Sequence, residues 1–141
     1  MKTRYLIDSN ILMHNQRGYF DLDKYLDEHK ISIKNCFISE ITKIELGIGE
    51  ILLKKKGYKF KISTEEILSN FEILPISNVI PTFIEEKCRL QLAGTPIENN
   101  FDLLIGCTAI HNNMVMVTEN IKDFKNLKNI KLENWFVREK K

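Results

Sequence analysis

Short apolar runs that alternate with helical segments are the feature that most restricts the fold of this chain. Tyr5–Ile7 and Asn35–Ile38 are short and carry the β-branched and aromatic residues that favour strands. Three similar runs follow at Phe71–Ile76, Met114–Thr118 and, as a short edge strand, Ile130–Leu132. Strands separated by helices favour a parallel sheet with helices on both of its faces. The chain is therefore predicted to be an α/β protein.

Four segments between the strands are predicted to be helical. The first begins after Ser39, its predicted N-cap, and ends at a run of lysines before Gly57. The others cover Thr64–Asn70, Asn78–Leu92 and Phe101–Asn112, and the last of these is apolar on nearly all sides. The first helix also has apolar residues at helical spacing, which we expect to face the core: Ile41, Ile44, Ile48, Ile51 and Leu52.

Size and composition narrow the class of protein. A chain of 141 residues that is 43% hydrophobic and 28% charged is expected to form one globular domain spanning residues 1–141. No apolar run approaches the roughly 20 residues that cross a membrane, and the start of the chain does not resemble a signal peptide. Cys36, Cys88 and Cys107 form no C-x-x-C pair and are expected to be reduced core thiols. These features predict a cytoplasmic protein without membrane contact.

Four carboxylates recur beside these elements and could meet at one edge of the sheet. Asp8 ends the first strand, and Glu45 lies in the helix after the second. Asp102 opens the helix before the fourth strand, and Asp123 follows that strand. Ligands of open α/β sheets bind outside the carboxyl ends of the strands. Because oxygen ligands suit Mg²⁺ or Mn²⁺ and the three histidines are dispersed, the pattern favours a site for a hard divalent cation over a zinc site.

Each of these acids also has a purely structural explanation. Asp8 could cap the helix that follows it, and Asp102 could interact favourably with the dipole of its own helix. Glu45 lies at the border of the apolar face of its helix, and Asp123 could be an ordinary solvated charge. Single positions therefore do not decide between a structural and a catalytic role.

The sequence around the four acids resembles one protein family. Leu6–Leu12 and Ile38–Leu46, followed by Phe101–Ala109 and Val117–Phe124, resemble in order the motifs of the PIN-domain nucleases. The VapC type, the toxin half of bacterial toxin–antitoxin pairs, is the most similar, and the resemblance extends to Leu132–Trp135. Ser9 departs from the threonine that is more common in the family, and Gly106-Cys107 replaces a pair of alanines, but neither departure alters a carboxylate.

The resemblance implies a fold, a reaction and partners. It implies a PIN-like domain with a five-stranded parallel sheet, in which Asp8 lies on a central strand. It implies cleavage of RNA phosphodiesters with Mg²⁺ or Mn²⁺ as the cofactor, and transfer RNA is a guess at the substrate. It also implies a homodimer and a cognate antitoxin that covers the site.

The four acids are assigned separate roles in this chemistry. Asp8 is the expected central ligand of the cation, and Asp102 and Asp123 complete the site directly or through water. Glu45 is expected to be a ligand or to orient the attacking water. Three further residues are expected to hydrogen-bond the carboxylates or a phosphate: Asn10, Thr118 and Asn120.

Two other acids compete with Asp123 for the last position. Glu119 directly follows the fourth strand, but strand alternation would turn it away from Thr118. Glu98 lies in a loop and could join the site only as a flexible accessory. Asp123 precedes Phe124, whose burial would fix the direction of the carboxylate. We therefore rank Asp123 first, Glu119 second and Glu98 third.

One stretch after the first predicted helix combines lysines with aromatic residues. Such a surface suits phosphates and stacked bases. A solvated helix end, with its aromatic rings folded onto the core, explains the stretch equally well. The candidate RNA-binding residues are Lys54, Lys55, Lys56, Tyr58, Lys59 and Lys61.

Two other functions remain open on the sequence. A phospho-receiver domain also has a strand-terminal Asp beside Mg²⁺, but it needs paired acids on its first loop, and here Lys2, Thr3 and Arg4 precede the first strand. A catalytically idle PIN fold that acts as an interaction module would not require all four acids. An assay of metal-dependent RNA cleavage separates the three.

Overall fold

A five-stranded parallel sheet forms the centre of the computed structural model, which describes residues 2–138. Its strands are β1 (Tyr5–Ile7), β2 (Cys36–Ser39), β3 (Glu72–Leu74), β4 (Val115–Val117) and β5 (Lys131–Glu133). The strands lie in the order β3-β2-β1-β4-β5, and every neighbouring pair is parallel. The predicted α/β fold with a parallel sheet is confirmed, and β1 with its terminal Asp8 is the central strand.

Helices connect the strands and cover the sheet. Within the described residues the α-helices are α1 (Ser9–Arg17), α2 (Leu22–Glu28), α3 (Glu40–Lys55), α4 (Thr64–Leu68), α5 (Ile80–Leu92), α6 (Asn100–His111) and α7 (Ile121–Phe124). Single 3₁₀ turns at Ile33–Asn35 and Ser77–Val79 lead into β2 and α5. None of the helices in residues 2–138 is long and apolar enough to cross a membrane.

The strand order separates this fold from a phospho-receiver. Receiver domains of the flavodoxin-like type have the order 2-1-3-4-5, in which the third strand lies beside the first. Here β3 lies at the edge beside β2, and β4 occupies the place beside β1. The receiver alternative is therefore wrong.

The core lies on both faces of the sheet because successive side chains of a strand point to opposite faces. In β1, Ile7 packs in a cluster with Ile38 and Val117 on one face. Its neighbour Leu6 packs with Met116 in a second cluster on the other face. Helices supply the rest of each cluster, so both faces of the central strand are dry and its carboxyl end is held rigidly.

Most predicted elements are present, with ends that shift by a few residues. β1 and the start of α3 match their predicted positions, and Ser39 caps α3 by accepting a hydrogen bond from the Ile41 N–H at 3.1 Å. α1 arises as the cap reading of Asp8 suggested. Neither α2 nor α7 was predicted.

The face of α3 that contacts the core differs from the predicted one. Only Ile41 of the five expected residues is buried, together with Thr42 and Leu46. The part-buried carboxylate of Glu50 accepts a hydrogen bond from the Thr64 N–H at 3.1 Å. The remaining four apolar residues of the expected stripe are 45–61% exposed: Ile44, Ile48, Ile51 and Leu52. Helical spacing identifies an apolar face, but it does not distinguish a core from an interface.

The cysteines need one correction. Cys36 and Cys107 are buried as expected, but Cys88 is exposed on α5. The same helix turns Glu86 and Leu90 inwards, so Cys88 lies on its outer side. All three are free thiols.

Candidate active site

Asp8 continues the sheet and caps the helix that follows it. Its N–H continues the sheet by donating to the Val117 carbonyl at 2.9 Å, and its side chain caps α1 by accepting from the Ser9 N–H at 2.7 Å. The second carboxylate oxygen accepts from the Thr118 hydroxyl at 2.9 Å. Only 3% of the residue is exposed. A helix cap at the carboxyl end of a central strand therefore becomes a buried charge at the rim of the sheet.

Asn10 and Thr118 lie beside the same oxygen of this carboxylate. The Asn10 amide nitrogen lies 3.4 Å from Oδ2 of Asp8 and 3.3 Å from the Thr118 hydroxyl oxygen. Asn120 joins the group through its backbone, whose N–H donates to the Thr118 hydroxyl at 3.0 Å. These contacts leave Asp8 little freedom to change its orientation.

Glu45 is connected to Asp8 through Ser9. The Ser9 hydroxyl donates to Oε1 of Glu45 at 2.9 Å and also lies 3.4 Å from Oδ1 of Asp8. This contact joins the start of α1 to the second turn of α3, across 36 residues of sequence. The sequence pattern did not predict this contact between Ser9 and Glu45.

Asp102 and Asp123 line one cleft. Asp102 lies in the first turn of α6, which Asn99 caps by accepting from the N–H of Asp102 at 3.3 Å. Asp123 lies in α7, anchored by the fully buried Phe124 that follows it. The cleft has a volume of about 530 Å³ and also includes Glu98 in its wall.

Burial and neighbouring acids raise the pKa values of three of these carboxyl groups. Burial raises the pKa of Asp8 to about 6; hydrogen bonds from Thr118 and Ser9 lower it, while the charges of Glu45 and Asp102 raise it further. Burial also raises the pKa of Glu45, and Asp102 adds to that effect. The pKa of Asp102 is raised by burial and then by Asp123. A cation placed among them would relieve both the repulsion and the desolvation. We call these four residues the carboxylate cluster.

The carboxylate cluster suits a magnesium-like ion by its chemistry. Its donors are all oxygens, the ligands that Mg²⁺ and Mn²⁺ prefer. Among residues 2–138, no three His, Cys, Asp or Glu side chains approach closely enough to form a ready-made metal cage. Such a cage is not required for Mg²⁺, which usually keeps several waters and binds through one or two carboxylates.

Glu119 is directed away from the carboxylate cluster. Its oxygens accept from Nε2 of His14 at 2.9 Å and from the Arg138 guanidinium at 2.6 and 3.1 Å. Burial raises the pKa of Glu119, but these two partners outweigh burial and hold it below its ordinary value. Local spacing could not reveal this contact, since His14 and Glu119 are 105 residues apart.

The predicted RNA-binding stretch packs against the end of α1. Tyr58 remains 38% exposed, and its hydroxyl lies 3.2 Å from that of Tyr19. The Arg17 guanidinium lies over the Tyr58 ring, 4.9 Å from its centre. Phe60 is half-buried, so only one of the two aromatic rings folds inwards. The lysines of the stretch are all exposed: Lys54, Lys55, Lys56, Lys59 and Lys61.

Known proteins that are similar to this chain in sequence share one name, ribonuclease VapC. No protein-family model matches the chain. Ribonuclease VapC2 of Rickettsia felis is 35% identical over 134 residues, covering 93% of this chain and 97% of that protein. Ribonuclease VapC1 of Haemophilus influenzae strain R2866 is 25% identical over 133 residues, again covering 93% and 97% of the two chains.

Solved structures agree with these relatives. In the crystal structure of VapBC2 from Rickettsia felis bound to a DNA fragment from the promoter, one chain matches with a TM-score of 0.76 and 30% identity. The match covers 95% of this chain and 100% of that one. Identity at this level over nearly the full length of both proteins, together with the shared fold, shows that this chain belongs to the VapC family of PIN-domain ribonucleases.

Proposed function

We propose that this protein is an endoribonuclease that hydrolyses RNA phosphodiesters with Mg²⁺ or Mn²⁺ at the carboxylate cluster. The observation that carries the proposal is the proximity of partly or fully buried acids at the rim of the sheet. Burial and neighbouring charges raise the pKa values of Asp8, Glu45 and Asp102 together. Such an arrangement is unfavourable in an empty protein and favourable around a divalent cation.

The side chains have separate roles in the proposed reaction. Asp8, Asp102 and Asp123 would hold the cation, which when bound polarises the phosphate and lowers the pKa of water. Glu45 is fixed through one oxygen by Ser9, and its raised pKa suits it to accept a proton from an attacking water. Thr118 and Asn10 keep Asp8 in one orientation by hydrogen bonding.

Cleavage of a single-stranded RNA by the purified protein tests this proposal. We expect cleavage with Mg²⁺ or Mn²⁺ and none in EDTA. Asp8→Asn should abolish cleavage and keep the fold, because it removes one charge from a group of like charges. Glu50→Gln is the matched control, since Glu50 is a part-buried carboxylate on α3 that contacts Thr64 and Lys54. Full activity of Asp8→Asn or of the chelated protein would contradict the metal mechanism, whereas no cleavage by the wild type would favour the idle interaction module.

The basic stretch Lys54–Lys61 is proposed as the path of the RNA beyond the site. Ser9 lies beside Glu45, and Met13 lies 3.5 Å from the position of a Cβ on Gly49, so α1 and α3 run side by side away from the carboxylate cluster. The exposed lysines lie at the far end of these helices, where phosphates could be bound. The ring of Tyr58 and the guanidinium of Arg17 provide a stacking surface.

An antitoxin is the proposed partner, and the cytoplasm is the proposed compartment. The VapBC2 complex of Rickettsia felis supports a partner for this chain. We propose that a C-terminal segment of a small antitoxin covers the groove near Glu45 and Lys54–Lys61. Expression of this chain alone should slow bacterial growth, and co-expression of the partner should restore it. Harmless expression of a protein that is active when purified would contradict the toxin role.

A further inference from the structure

Glu119 lies at the junction of two hydrogen-bonded groups. Its backbone N–H donates to the side-chain oxygen of Asn10 at 3.3 Å. Asn10 in turn contacts both Asp8 and Thr118. The peptide N–H of Glu119 is therefore hydrogen-bonded directly to a residue that orients Asp8, whereas its carboxylate binds His14 and Arg138.

The carboxylate of Glu119 is fixed from two directions. On one side Nε2 of His14 donates at 2.9 Å, and the side chains of His14 and Glu119 are only 12% and 17% exposed. On the other side Arg138 makes two hydrogen bonds but is 70% exposed. An exposed ion pair contributes little, so His14 supplies the stronger of the two restraints.

Aromatic packing fixes His14 in turn. The His14 ring stacks on Phe136 with 4.0 Å between ring centres. Phe136 also makes an edge contact with Phe20, and the preceding Trp135 stacks on Tyr25 at 4.7 Å. The segment after β5 is thus docked on α1 and α2, and it holds the partners of the Glu119 carboxylate in place.

We propose that Glu119 is a positioning residue of the active site. Its carboxylate, held by His14 and Arg138, fixes the peptide that follows Thr118. That peptide holds Asn10, and Asn10 with Thr118 sets the orientation of Asp8. The inference rests on the proposed function, since it assumes that Asp8 acts in RNA cleavage. It assigns Glu119 no contact with cation or substrate, and it distinguishes Glu119 from Asp123, which faces the cleft.

Glu119→Ala is the first test. We expect kcat to fall roughly tenfold, the lower end of the effect of removing a residue that orients a ligand, with KM near its wild-type value. The loss should be smaller than that of Asp123→Ala. Glu119→Gln should keep most of the activity because it retains an acceptor for His14. In the Ala variant, amide hydrogen exchange at position 119 should become faster, because the peptide is no longer fixed and its hydrogen bond to Asn10 weakens.

Two comparisons separate positioning from a general loss of stability. Glu50→Ala removes a part-buried carboxylate of similar exposure, 21% for its side chain, and should leave kcat and the exchange at position 119 unchanged. Asn10→Ala combined with Glu119→Ala should be about as slow as the slower single variant, since both act through the same contact. Multiplying losses, or an equal loss in Glu50→Ala, would overturn the inference.

Failure of this inference is distinguishable from failure of the proposed function. If the wild type cleaves RNA and Asp8→Asn does not, an unaltered kcat in Glu119→Ala rejects positioning alone. If the wild type cleaves none of the RNAs tried, the proposed function fails. Hydrogen exchange at position 119 and Mn²⁺ affinity measured by electron paramagnetic resonance then decide the positioning role, because Glu119→Ala should accelerate the first and weaken the second.

Discussion

Asp8 is a negative charge held where almost no water reaches it. Four donors surround it, yet burial and the neighbouring acids still raise its pKa to about 6 from an ordinary 3.8. Because the folded pKa is higher than the unfolded one, ionisation of Asp8 opposes folding. Its contribution is most favourable below the unfolded pKa and is lost as pH rises through about 6.

The first prediction concerns stability without metal. The two pKa values differ by about 2, so ionisation of Asp8 should lower the free energy of unfolding by about 3 kcal/mol at neutral pH. Asp8→Asn removes that charge and weakens a hydrogen bond worth about 1 kcal/mol. In EDTA at pH 7.5 it should therefore be more stable than the wild type by roughly 2 kcal/mol.

Thermal and urea unfolding at several pH values would measure this difference. The advantage of Asp8→Asn should shrink towards pH 4, where the wild-type Asp8 is protonated, and it should also shrink when Mg²⁺ is added at pH 7.5. A variant that is less stable than the wild type under all of these conditions would show that Asp8 stabilises the fold as a cap more than its charge opposes it.

Sequence motifs predicted the carboxylate cluster better than its supporting contacts. Asp8 follows a strand, and the other three acids lie in the first two turns of helices, so a strand-and-helix pattern is enough to bring them to one rim. Ser9 and His14 are different, because their partners lie 36 and 105 residues away. Such pairings depend on how helices lean on one another, which the local pattern does not specify.

At the scale of elements, the packing of α6 against α7 sets the position of Asp123. A Cβ added at Gly106 would lie 2.5 Å from Cδ1 of Leu127 and 3.4 Å from Cδ1 of Phe124. Both of those side chains are buried. The glycine that departs from the family's alanine therefore allows the segment carrying Asp123 to approach α6 closely.

The second prediction is that Gly106→Ala destabilises the protein and lowers its activity. Overpacking in a core costs about 1–3 kcal/mol, and the gain in helix propensity of about 1 kcal/mol offsets it only in part. The Cβ clashes with Leu127, whose displacement should also shift the segment that carries Asp123 and reduce kcat. Gly47→Ala is the control, because nothing lies within 4 Å of a Cβ there, and it should stabilise α3. Equal gains from both substitutions, measured by urea unfolding, would contradict this account of the packing.

Element types were easier to predict than their orientation. Short β-branched runs predicted the strands, and Ser39 predicted the start of α3, because these signals are local. The predicted buried face of α3 was wrong, because four of its five aliphatic residues are exposed, while Thr42 and Leu46 face inwards. An apolar stripe predicts that a helix face is buried, but not against which surface. The stripe of α3 is buried neither by the sheet nor by α1.

At the scale of the whole molecule, the exposed apolar stripe on α3 indicates an interface with another protein chain. Ile44, Ile48, Ile51 and Leu52 recur on one side of α3, with acidic Glu40 at its start and basic Lys54 and Lys55 at its end. A second copy packed antiparallel across a twofold axis would cover the stripe with itself and bring opposite charges together. We propose this face of α3 as the homodimer interface.

The last prediction is that Ile48→Lys converts a dimer into a monomer. Ile48 lies in the middle of the stripe, so a buried lysine there would meet its own copy across the axis and leave two charges without partners. Leu92→Lys is the matched control, because Leu92 is 89% exposed at the end of α5, away from the stripe. Light scattering on the purified proteins should give a dimer for the wild type and Leu92→Lys and a monomer for Ile48→Lys, with the thermal stability of the single chain little changed. A monomeric wild type, or a dimer that survives Ile48→Lys, would assign the stripe to the antitoxin instead.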